Sequence, residues 1–128
     1  MNLIDAAENG DIENVRLLVD DDADPNIKDN DGYTALIWAS PRGHTEIVRL
    51  LLNNGALPNI QTNNGFTALV WASSEGHTEI VRLLLKHGAE VDIQDNDGGT
   101  ALILASGTGN INIVKLLSYL LIGLSIVI

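Results

Sequence analysis

The sequence predicts an all-α solenoid of stacked helix-turn-helix units joined by β-turn or hairpin loops. Three observations lead there: the chain repeats itself at a spacing of 33 residues, glycines recur at fixed places within each repeat, and apolar residues fall at helical spacing between them. Gly32–Asn64 ("GYTALIWASPRGHTEIVRLLLNNGALPNIQTNN") and Gly65–Asp97 ("GFTALVWASSEGHTEIVRLLLKHGAEVDIQDND") agree at 22 of 33 positions. A third copy starts at Gly98 and a partial one precedes Gly32, so the domain divides into units of about 1–31, 32–64, 65–97 and 98–128. A unit this short cannot bury its apolar face alone; its neighbours must.

Within each unit the first helix is set by a threonine. Thr34, Thr67 and Thr100 precede short apolar runs that end near Gly43, Gly76 and Gly109, which suits an N-cap, two turns of helix and a left-handed stop. The second helix carries "HTEIVRLLL", with Ile47, Val48, Leu50 and Leu51 on one face and Gly55 closing it; Ile80 to Gly88 repeats the arrangement. Between units stand Asp29–Gly32, Thr62–Gly65 and Asp95–Gly98, where a polar first residue and a fourth-position glycine favour a type I turn.

These features together resemble the ankyrin-repeat family over about residues 2–117. The family's Thr-Pro-Leu-His signature stands here as Thr34-Ala35-Leu36-Ile37, Thr67-Ala68-Leu69-Val70 and Thr100-Ala101-Leu102-Ile103, without its proline or histidine. Loss of that histidine shifts the expected cohesion between units from hydrogen bonding toward packing. The Gly-His-Thr-Glu-Ile-Val segments, Gly43–Val48 and Gly76–Val81, follow the family pattern. The resemblance implies a protein-binding module whose turn tips and first helices form a concave face. By repeat position that face holds Asn30, Asp31, Tyr33, Pro41 and Arg42, then Asn63, Asn64, Phe66, Ser74 and Glu75, then Asn96, Asp97, Gly99 and Thr108. Tyr33 and Phe66 carry most weight, because an aromatic ring near a turn tip exposes apolar area that a partner would cover.

Chemistry other than binding finds little support. His44 and His77 recur at one repeat position with no second histidine, cysteine or paired carboxylate at ligand spacing, so no metal site is expected. Asp20, Asp21, Asp22 and Asp24 lack the glycine and distal glutamate of a calcium loop. No phosphate-cradling loop and no nucleophile-base set is visible, so the expectation is a non-catalytic chain without a cofactor. Trp38 and Trp71, replaced in the fourth unit by Leu104, are expected in the core.

Charge narrows the partner class. The net charge is −10, and residues 1–32 carry −8 of it, a field that repels nucleic acid. The absence of cysteine and of a basic segment followed by an apolar run at the N-terminus favours an intracellular, cytoplasmic setting.

The two ends differ. Asp5 stands where later units have tryptophan, and Asn14 where they have isoleucine, which gives the first unit a polar outer side. The last unit runs into an apolar extension, 118–128, in which Leu121 takes the place of Gly55 and Gly88. Ile113, Leu116, Leu117, Leu120, Leu121, Leu124 and Ile128 fall at steps of three and four, so the final helix should run past its usual end, weakened by Gly123. The apolar stretch is shorter than the roughly 20 residues that span a bilayer. Contact with a membrane surface, folding back on the last unit and self-association remain as ways to cover it, and the preferred one is a homodimer through Leu120, Leu121, Leu124 and Ile128.

Overall fold

Thr34, Thr67 and Thr100 each begin a helix by accepting a hydrogen bond from the backbone N–H three residues on, at Ile37, Val70 and Ile103 (3.2–3.3 Å). The same local chemistry, used repeatedly, builds the whole chain. A computed structural model describes residues 1–123, with eight helices among them: α1 (Leu3–Glu8), α2 (Ile12–Asp20), α3 (Ala35–Ala39), α4 (Thr45–Asn53), α5 (Ala68–Glu75), α6 (Thr78–Lys86), α7 (Ala101–Thr108) and α8 (Ile111–Leu121). Odd-numbered helices pack on one another in chain order, as do even-numbered ones, and each pair α1–α2, α3–α4, α5–α6 and α7–α8 packs internally. The result is two layers of helices with one continuous apolar core between them.

That core has the periodicity of the sequence. Leu36, Ile37 and Leu51 of one unit, Leu69, Ile80 and Leu84 of the next, and Ile113 and Leu117 of the last are all fully buried. Each such side chain contributes about 1.5–3 kcal/mol on leaving water. Thr62 N–H, Asn63 N–H and Gly65 N–H fix the turns: Gly65 donates to Thr62 O (2.8 Å), Thr62 to Phe66 O (2.9 Å), and Asn63 reaches back to Asp31 O of the preceding turn (3.0 Å). Gly32 and Gly98 close their turns in the same way onto Asp29 and Asp95.

Two helix ends differ from the reading of the sequence. Helix α3 stops at Ala39, four residues before Gly43, because Pro41 has no N–H to continue the ladder and its ring crowds the preceding turn. Helices α5 and α7, without that proline, run to Gly76 and Gly109, both left-handed. The second difference is at α8. Its siblings α4 and α6 have nine residues and it has eleven, since Leu121 replaces the stop glycine. The run-on nevertheless ends at Leu121, with Gly123 left-handed (φ 80°), so the helix gains two residues and Leu124 and Ile128 lie outside the described residues.

Asp22 fills the corresponding position in the first unit, at φ 61°, where Gly55 and Gly88 stand later. Aspartate tolerates this conformation better than most residues. The acidic run that superficially resembles part of a calcium loop is therefore a helix terminus: Ala23 N–H bonds back to Leu18 O (3.0 Å), as Ala56 does to Leu51 and Ala89 to Leu84.

Cohesion between units does not rest on packing alone. His44 and His77 stand at the N-caps of α4 and α6 but make no side-chain bond to their own helices. Each ring instead donates from Nε2 to a carbonyl of the unit before, Glu8 O (3.2 Å) and Pro41 O (2.9 Å), and Asn110 does the same to Ser73 O (3.0 Å). Each ring also lies against a glycine: a Cβ at Gly10 or Gly43 would stand 2.7 or 2.9 Å from the imidazole Cε1. Asparagines add two further rows, Asn63 to Asn30 O and Asn96 to Asn63 O at the turns (3.0 Å each), and Asn26 to Gly55 O and Asn59 to Gly88 O on the loops after the second helices.

Candidate functional site

Helix α3 ends early, and Pro41 and Arg42 therefore lie at the lip of the first-helix row beside the next unit's Trp71. A cleft of about 330 Å³ opens there, lined by Tyr33, Trp38, Pro41, Arg42, Trp71 and Glu75. It joins the turn tips to the first helices, and it brings Tyr33, Arg42 and Glu75, expected at this face from repeat position, together with the two tryptophans expected in the core. Trp38 and Trp71 are both half-buried and line the cleft, and Trp71 also packs against the core. An indole is too large to fit wholly between these short helices, so its outer edge is left accessible.

Tyr33 and Phe66 are also only half-exposed. Each ring packs on the tryptophan five residues later, Tyr33 on Trp38 with centroids 4.6 Å apart and Phe66 on Trp71 at 5.0 Å, both tilted. The turn-tip aromatics thus partly cover their own exposed area, and what they present outward is the rim of an aromatic pair. In the fourth unit both partners are missing: Gly99 stands for the tyrosine and Leu104 for the tryptophan.

The polar edge of each indole depends on the first residue of its turn. Asp29 accepts from Asp31 N–H (3.0 Å) and Tyr33 N–H (2.9 Å) through Oδ1, and from Trp38 Nε1–H (2.8 Å) through Oδ2. Burial pushes the Asp29 carboxyl up, but these three donors outweigh it and hold the group below the ordinary carboxylate value. In the next unit Thr62 is too short to serve twice; its hydroxyl accepts from Phe66 N–H (3.1 Å), and Trp71 Nε1 is buried without a partner among the described residues. The Tyr33 hydroxyl is near Trp71 but forms no full hydrogen bond with it. Burial, then the charges of Asp31 and Asp29, raise the Tyr33 phenol above its usual value, a push that its contact with Trp71 partly offsets.

Arg42 is the most constrained charge at the cleft. Its guanidinium lies 5.2 Å from the Trp38 ring centroid, and Nη2 meets Glu8 Oε1 at 3.4 Å. Glu75, at the equivalent position of the next unit, is exposed and makes no ion pair among the described residues.

The remaining expected face residues are spread along the turns. Asp31, Asn64 and Asp97 are exposed at successive tips. Asn30 contributes its carbonyl to Asn63, and the amides of Asn63 and Asn96 are engaged in the turn row, so these three serve the scaffold as well as the surface. Asn96 and Asp97 lie one unit beyond the cleft. Of the residues expected to self-associate, Leu120 is half-buried against the core and Leu121 is exposed, while Leu124 and Ile128 are outside the described residues.

Sequence reasoning missed Thr62 and the cleft role of the tryptophans. The signal was present: the pair Asp29/Trp38 becomes Thr62/Trp71 and then Asp95/Leu104, so neither later unit keeps both members.

No curated protein sequence matches this chain. A family model described as ankyrin repeats (3 copies) matches residues 3–95 and 56–125, which together span nearly all of the helical units described above. The 33-residue period, the paired helices and this match agree, and the chain belongs to the ankyrin-repeat family.

Proposed function

We propose that the chain is a non-catalytic protein–protein interaction module that holds its partner on the concave face formed by the turn tips and first helices. Ankyrin repeats are generally protein–protein interaction modules. The observation that supports this face in particular is the cleft: the Tyr33–Trp38 pair, Trp71, an arginine held over Trp38 and a glutamate with no ion pair among the described residues meet where two units join. Partly covered aromatic rings beside charged groups are the composition of protein-binding hot spots. Because helices and hydrogen-bonded turns hold these side chains, binding costs little conformational entropy. Asn30, Asp31, Tyr33, Arg42, Asn63, Asn64, Phe66, Glu75, Asn96 and Asp97 form the contact surface on this reading. Affinity capture with the intact chain and with an Asn64→Arg/Glu75→Arg variant tests it: the partner should be lost with the variant and kept with Glu79→Arg on α6.

A second reading, self-assembly through the C-terminal end, has its own observation. Ile103 is 57% exposed, whereas Ile37 and Val70 at the same repeat position are 1% and 2% exposed because a following unit covers them. The last unit thus presents an inter-unit surface that nothing among the described residues covers. A second copy would bury it, and sedimentation of the full chain against an Ile103→Glu/Leu121→Glu variant decides: a monomer in both cases removes this reading. No helix among the described residues is long and apolar enough to cross a membrane. We place the protein inside the cell, in the cytoplasm, from its lack of cysteine.

A further inference from the structure

Arg42 and Glu75 occupy the same repeat position, and the exchange of charge between them has a consequence for the tryptophans they accompany. In the second unit the chain supplies its own cation: the Arg42 guanidinium sits over Trp38, and Glu8 balances it at 3.4 Å. In the third unit the same position holds Glu75, so Trp71 has no cation from the described chain over its ring, while the carboxylate that would balance one is present and unpaired. Arg42, already neutralised by Glu8, opposes a second cation less than a free arginine would. Asp29 and Asp31 at the adjoining turn add negative field, and the chain as a whole carries −10.

We propose that the Trp71 side of the cleft takes the cationic side chain of a lysine or arginine from a basic, extended segment of the protein partner, with Glu75 as its counter-charge. This rests on the concave-face reading above. The ligand completes in trans what Arg42 and Glu8 form in cis: a cation held between an indole face and a carboxylate, with Tyr33 closing the side. A cation over an indole is held more tightly the further it is desolvated, and the Trp71 ring is half-buried.

The test is a titration of the ¹⁵N-labelled full chain with a hexalysine peptide, and with hexaglutamate as control, followed by the two indole N–H resonances. Trp71→Leu assigns them, and leucine already stands at this repeat position in the fourth unit as Leu104. Hexalysine should move the Trp71 resonance saturably and hexaglutamate should not. Trp71→Leu should weaken hexalysine binding by about three- to tenfold. Glu75→Gln should weaken it by about fivefold, a loss of roughly 1 kcal/mol, whereas Asp22→Asn, which removes the same charge far from the cleft, should have less than half that effect. A silent Trp71 resonance, or equal losses from Glu75→Gln and Asp22→Asn, would mean diffuse attraction to an acidic surface and overturn the proposal. If that happens while Asn64→Arg/Glu75→Arg still abolishes partner capture, only the cation chemistry falls; if capture ignores the concave substitutions, the reading beneath it falls as well.

Discussion

Trp38 and Asp29 are joined by a 2.8 Å hydrogen bond from the indole nitrogen to Oδ2, while the indole nitrogen of Trp71, one repeat on, is buried with no partner among the described residues, because Thr62 stands where Asp29 stood. Aspartate at this position bridges the turn and the first helix; threonine holds the turn only.

Replacing Thr62 with aspartate should therefore stabilise the protein. The new carboxylate would keep the bond to Phe66 N–H through one oxygen and offer the other to Trp71 Nε1. Relief of one buried unsatisfied donor is worth about 1 kcal/mol, to be read as a higher urea midpoint at unchanged slope. In a Trp71→Phe background, which has no indole N–H, the gain should vanish.

The Asp29 carboxyl gives a pH dependence whose sign follows from its lowered value. A carboxylate held lower in the folded than in the unfolded chain stabilises fully above the unfolded value, taken as 3.8, and that stability is lost as pH falls through the folded value. Asp29→Asn should be less stable than the parent by up to about 1 kcal/mol near neutrality, a modest figure because the group is largely solvent-screened. The gap between the two proteins should close in acid below pH 3.8.

Gly43 and Gly88 separate two roles of glycine. Both are left-handed, but a Cβ at Gly88 meets nothing within 4 Å, whereas at Gly43 it would stand 2.9 Å from His77 Cε1. Gly88→Ala should cost only the backbone strain, about 1–2 kcal/mol. Gly43→Ala should cost about 1 kcal/mol more by displacing His77 from the Pro41 carbonyl. In a His77→Ala background that excess should disappear, a coupling a double-mutant cycle measures directly.

Val70 and Ile103 test the open end in the same way. Val70→Glu buries an unpaired charge between units and should unfold the protein or cost more than about 3 kcal/mol. Ile103→Glu, at the same repeat position but 57% exposed, should change the stability of the monomer by less than about 0.5 kcal/mol. Thermal melts at low protein concentration make the comparison.

Most of the scaffold is legible in the sequence, because its determinants are local and repeated: a capping threonine, a left-handed glycine and an apolar face recur within each 33 residues. What is not legible depends on one-residue departures whose effect appears only between units. Pro41 shortens α3 and so opens the cleft, yet in one dimension it reads only as one more position on the concave face. Trp38 and Trp71 read as core from their repeat position, but an indole exceeds the space two short helices leave and emerges on the cleft. His44 and His77 read only as one recurring position at the start of the second helix; their bonds run to carbonyls 36 residues earlier, which periodicity of 33 does not announce. Leu121 correctly signals a longer α8, and Gly123 then limits the gain to two residues.

The central claim is that the turn tips and first helices, not the second helices, carry the partner. Affinity capture with the intact chain, with Asn64→Arg/Glu75→Arg and with Glu79→Arg, all shown to be folded by their melts, measures it most directly. Loss of the captured partner with the first variant and retention with the second is the result this account predicts. A partner retained by Asn64→Arg/Glu75→Arg and lost with Glu79→Arg would contradict it.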